Sequence, residues 1–117
     1  MVKSYPEFYE QVRLLMNQYG KESPDTMAGF IQLHKAGSTD GALDSKVKEL
    51  IALGIAISVR CDGCIAFHVH DAFKAGATHE EIVETIGVAI LMGGGPSVVY
   101  GSQALEALKE IETEGIS

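Results

Sequence analysis

From Leu50 to Val59 the chain carries no charge, and Ser58 is the only polar side chain in the run. Wound as a helix at about 100° per residue, this segment is apolar around its whole circumference rather than along one stripe. It therefore has to be buried on all sides. A chain of 117 residues forms few helices, and a handful of short helices rarely encloses one of their own completely, so a second subunit is expected to supply part of the cover. The expectation is an obligate homo-oligomer with a buried central helix. The run falls well short of the roughly 20 apolar residues a membrane-spanning helix needs, so no bilayer span is expected.

Helix punctuation recurs on both sides of this run. Ser4 can cap a first helix, with Pro6 in its first turn, Glu7 completing a capping box and Gly20 as a stop. Ser23-Pro24 opens a second helix that ends near Gly37, and Asp44 caps a third that runs toward Arg60. A fourth starts around Asp62 and closes at Gly76. Thr78 and Glu81 form a capping box for a fifth that lasts to about Met92. Gly93-Gly94-Gly95-Pro96 then breaks the chain before a sixth helix, whose Val99, Leu105, Leu108 and Ile111 are predicted to share one face ahead of a fraying tail. No segment alternates apolar and polar residues, and neither Asp40-Gly41 nor Asp62-Gly63 has strand patterning around it. The expected fold is all-α, with about six helices in one domain over residues 1–117.

Charge narrows the partners. Nine Lys plus Arg against 16 Asp plus Glu leave a net charge of −7, the wrong sign for binding a nucleic-acid backbone or an anionic membrane by counterion release. The N-terminal residues contain no apolar segment of signal-peptide type, which points to the cytoplasm. Two cysteines placed three residues apart in such a compartment are redox-active or metal-binding more often than a structural staple.

The segment Cys61-Asp62-Gly63-Cys64-Ile65-Ala66-Phe67-His68 puts Cys61 at a helix start, Cys64 in the first turn and His68 one turn later on the same face. A helix N-terminus and a neighbouring imidazole both favour a thiolate at Cys64. The spacing also brings Cys61 within disulfide reach, so the two sulfurs could cycle between dithiol and disulfide. Glu49 borders the apolar run, where a carboxylate is costly without a donor, and His68, a thiol or water could serve as one. Pairing with Lys46 or Lys48 on the helix surface is the plainer alternative. His70 points about 200° away from His68 and is expected to pack or face solvent, as are His34 and His79. Because His68 and His70 diverge, they cannot share one zinc ion with the cysteines, and neither a metal nor another cofactor is expected.

Glu49, eleven intervening residues and then Cys61-x-x-Cys64-x-x-x-His68 together resemble the active-site signature of the alkylhydroperoxidase D-like branch of the carboxymuconolactone decarboxylase family. Gly41 to Asp44, Lys48 to Leu53, and Ala75 to Thr78 with Glu81-Ile82 also resemble that pattern, so that the likeness spans about residues 28 to 112. The resemblance implies packed helices assembled as homo-oligomers, often trimers or hexamers. It also implies a cysteine-based peroxidase or disulfide reductase with an antioxidant role. Cys64 would attack the peroxide, Cys61 would resolve the sulfenic acid, and His68 with Glu49 would relay protons. An external dithiol, a lipoyl-bearing or thioredoxin-like protein, would then reset the pair. Gly63 departs from the pattern, since the best-studied members carry histidine just before the second cysteine, which implies a weaker local relay. Lactone decarboxylation is the competing activity, and a non-catalytic redox-sensing oligomer is the competing role.

Overall fold

The computed structural model describes residues 4–115. They form six helices: α1 (Tyr5–Glu22), α2 (Pro24–Ser38), α3 (Ser45–Ser58), α4 (Asp62–Lys74), α5 (His79–Gly93) and α6 (Gly95–Glu114). No strand occurs among the described residues, as the lack of alternation predicts. The predicted fray after the sixth helix falls mostly on residues 116 and 117, which lie outside them.

Helices α3 to α6 pack on one another, and α1 lies against α4, α6 and α2. Leu53, Ile57, Ile65, Val69, Ile82 and Leu108 are fully buried where these helices meet. Each contributes roughly 1.5 to 3 kcal/mol by leaving water. Helix α2 has no buried residue of its own and leans on α1 and α3.

Several helix ends follow the sequence. Asp44 accepts the Val47 N–H, and Thr78 and Glu81 form the reciprocal capping box. The start of α1 differs: Ser4 makes no side-chain cap, and the Tyr5 N–H instead donates to Glu110 Oε1 of α6 at 3.0 Å. A charged acceptor from a packed neighbour replaces the local hydroxyl. Gly20 does not stop α1, which continues to Glu22. A side chain at Gly20 would press on Met27, so this glycine instead lets α2 approach closely.

The face of α6 also differs from expectation. Its buried residues are Ser97, Gly101, Ala104, Ala107, Leu108 and Ile111, whereas Val99 is exposed. Small residues win these positions because α5 comes close: a Cβ on Gly101 would stand 2.7 Å from Ile86 Cγ2. Only Gly94 of the glycine triplet takes a positive φ, while Gly93 ends α5 and Gly95 begins α6.

Helix α3 is half covered within the chain. Leu53, Ala56 and Ile57 are buried, while Ile51, Ile55 and Val59 form an exposed stripe. Val88, Leu91 and Met92 stand out from the neighbouring α5 in the same way.

Candidate thiol active site

The site is built at the junction of α3 and α4. Helix α3 ends in a Schellman turn, in which the Cys61 N–H reaches Ala56 O and the Arg60 N–H reaches Ile57 O, with Arg60 at φ 61°. This turn hands Cys61 directly to α4 as its N-cap. Cys61 Sγ takes the place of the usual serine or aspartate oxygen and accepts the Cys64 N–H at 3.2 Å. The sulfur of Cys61 thus sits where a helix N-terminus presents an unpaired donor, a setting that favours a thiolate. Cys61 and Cys64 are joined as a disulfide, with Cα atoms 5.1 Å apart.

One turn beyond Cys64, His68 Nδ1–H donates to Glu49 Oε1 at 2.8 Å. Glu49 is only 5 % exposed, so this carboxylate has left water and has exchanged it for an imidazole. The bond fixes the tautomer and leaves His68 Nε2 as the basic nitrogen. The alternative lysine partners are engaged elsewhere: Lys46 pairs with Glu81 at 3.0 Å, and Lys48 Nζ donates to Thr39 O at 2.6 Å. The four residues singled out from the sequence therefore form two directly bonded pairs on adjoining helices.

Both sulfurs and His68 line a cavity of about 500 Å³ between α1, α2 and α4. Its walls are mostly apolar. Tyr9, Val12 and Met16 come from one face of α1, Phe30, Ile31, His34 and Lys35 from one face of α2, and Cys64, Phe67, His68 and Asp71 from one face of α4. Gly63 also borders it, and a Cβ there would stand 3.9 Å from Val12 Cγ1. A Cβ at this position would therefore sit in ordinary contact with Val12 on the cavity wall.

Most of these lining residues carry no motif. The spacing of 64, 67, 68 and 71 is a helical stripe running from the cysteine, and that periodicity was the available signal for Phe67 and Asp71. Nothing local marks His34, which reaches the site from α2. His70 packs as expected: it stacks on Tyr9 with ring centroids 4.1 Å apart and donates from Nδ1 to Asp71 Oδ1 at 3.0 Å. His79 donates to Glu112 near the surface. Burial, and then Asp71, push the Tyr9 phenol above its ordinary range, so it stays protonated.

Comparison with known proteins agrees with this architecture. A protein of Cupriavidus necator with no assigned activity is 42% identical over 86 residues, spanning 74% of this chain and 76% of its own. Another such protein, from Haemophilus influenzae, is 34% identical over 107 residues, spanning 92% and 95%. Among solved structures, a carboxymuconolactone decarboxylase family protein of Legionella pneumophila superposes with a TM-score of 0.87 at 44% identity, covering 91% of this chain and 95% of that one. One from Thermotoga maritima, for which an involvement in an antioxidative response has been suggested, superposes with a TM-score of 0.78 at 30% identity, covering 93% and 96%. The carboxymuconolactone decarboxylase family model matches residues 24–108. With the six-helix fold, these matches establish that the chain belongs to the carboxymuconolactone decarboxylase family.

Proposed function

We propose that the protein is a thiol oxidoreductase that reduces a hydroperoxide at Cys64 and is restored by an external dithiol. The observation that carries this reading is the joined pair Cys61–Cys64 beside a histidine whose Nδ1 is held by a buried glutamate. The suggested antioxidative involvement of the Thermotoga maritima relative points the same way.

In the reduced protein, His68 Nε2 takes the Cys64 thiol proton, and Glu49 stabilises the imidazolium that results. The thiolate attacks the distal oxygen of the hydroperoxide. The O–O bond breaks, the alcohol leaves with the proton returned by His68, and Cys64 becomes a sulfenic acid. The Cys61 thiolate, favoured by the Cys64 N–H, then attacks the Cys64 sulfur and expels water once a proton is supplied. The external dithiol reverses the oxidation by exchange and becomes a disulfide itself. Apolar cavity walls favour an organic hydroperoxide or a small disulfide over hydrogen peroxide. A reducing compartment such as the cytoplasm keeps the cycle running.

The working form in this reading is a homo-oligomer. Exposed apolar residues stand together on α3 and on the neighbouring α5, and a second copy is the natural cover.

The test is consumption of an organic hydroperoxide with a dithiol donor. Wild type turns over, and Cys64→Ser abolishes turnover. Without the donor, Cys61→Ser should consume about one equivalent and stop at the Cys64 sulfenic acid. Turnover that persists in Cys64→Ser removes the assignment, and conversion of a lactone acid by the double serine variant would favour decarboxylation instead.

A further inference from the structure

Beside the disulfide, three side chains from three helices converge without having been brought together by any sequence motif. One ligand atom each from His34 of α2, Glu49 of α3 and Asp71 of α4 lie within 4.8 Å of one another. Glu49 is nine-tenths buried, and His68 holds its Oε1, while no donor among the described residues reaches Oε2. Asp71 is arranged in the same way, with His70 holding Oδ1 at 3.0 Å. Each carboxylate is thus oriented through one oxygen by an imidazole outside the cluster, and each keeps an oxygen free. Metal-ligating carboxylates are commonly supported in this manner. Two carboxylates and an imidazole facing one point form a donor set of the kind that cations bind.

We propose that His34, Glu49 and Asp71 form a binding site for a divalent transition-metal ion. The donor set of one nitrogen and two carboxylate oxygens suits Zn²⁺, with a fourth position toward the cavity for water or a ligand. Bonds of about 2.1 Å place such donors roughly 3.4 Å apart, so the three side chains draw together from within 4.8 Å when the ion binds. The ion ties α2, which buries no residue of its own, to α3 and α4. No part of this depends on the thiol chemistry proposed above, and the cysteines are not among the ligands.

The experiment is calorimetric titration of Zn²⁺ into the full chain carrying Cys61→Ser and Cys64→Ser, which removes thiolate binding. The result expected is one saturable site per chain. His34→Ala or Asp71→Asn in that background weakens it more than about tenfold, His70→Ala weakens it by about tenfold through lost orientation, and His79→Ala leaves it unchanged. Thermal melting gives a second readout: Zn²⁺ raises the midpoint of the parent and not of the His34→Ala chain. Absence of saturable binding, binding that His34→Ala and Asp71→Asn leave intact, or binding seen only when the cysteines are present would each overturn the site.

Discussion

Glu49 illustrates how much one side chain depends on what lies across from it. Its place beside an apolar run was readable as a need for a donor, and His68 meets that need at 2.8 Å. The choice between His68 and a lysine was not readable, because it turns on Glu81 and Thr39, which occupy Lys46 and Lys48 from elsewhere in the chain. Glu49→Gln keeps an oxygen for the His68 N–H and removes the negative charge that stabilises the imidazolium. Turnover should fall by roughly 10²-fold, while the disulfide still forms in air; steady-state rates measured against pH check this. Unchanged turnover would leave the carboxylate a packing role only. Tyr5 gives a second residue-scale expectation. Burial first, and then Asp62, Glu110 and Glu106, push its phenol up to about 12 from its ordinary 10.0. Its folded pKa is raised, so the stability it contributes is fully present below pH 10 and is lost as pH rises toward 12. A Tyr5→Phe chain should lose less stability over that window than wild type.

At the scale of elements, helix ends held by local chemistry were legible and those held by distant partners were not. Asp44 and Thr78 cap as read, whereas Ser4 gives way to Glu110, more than a hundred residues along the chain. The two ends of α4 make an instructive pair. Arg60 precedes it and Gly76 follows it, and these residues sit at the left-handed positions of the Schellman turns that close α3 and α4. Glycine adopts that conformation freely, whereas arginine does not. Arg60→Gly should therefore stabilise the chain by up to about 1 kcal/mol in denaturant unfolding; destabilisation would mean that the arginine side chain contributes more than its backbone costs. The α5 cap titrates. Hydrogen bonds from Thr78 and Lys46 hold the Glu81 carboxyl below its ordinary range. Its stabilisation is present above about pH 4.5 and is lost as pH falls through the lower folded value. The melting difference between wild type and Glu81→Gln should shrink on acidification over that range.

At the scale of the molecule, the six-helix fold is legible in caps and periodicity, and the grouping of Cys61, Cys64 and His68 on one helix start in their spacing. The cavity was not, since its walls come from α1, α2 and α4 and exist only once those helices pack. The all-round apolar sequence of α3 predicts burial on all sides, and one chain covers about half of it. Ile55 is 58 % exposed, and Leu91 on α5 is 79 % exposed. If a second copy covers them, Ile55→Lys and Leu91→Lys should lower the sedimenting mass at micromolar concentration with little loss of helix. A wild-type chain that sediments as a monomer would contradict the proposed assembly. Joint reduction of a hydroperoxide by Cys64 and Cys61 is read out by intact mass spectrometry of the reduced chain after one equivalent of an organic hydroperoxide. Loss of two hydrogens is expected as the Cys61–Cys64 disulfide forms, with one alcohol released per chain. Free thiols that persist beside unreacted hydroperoxide would contradict it.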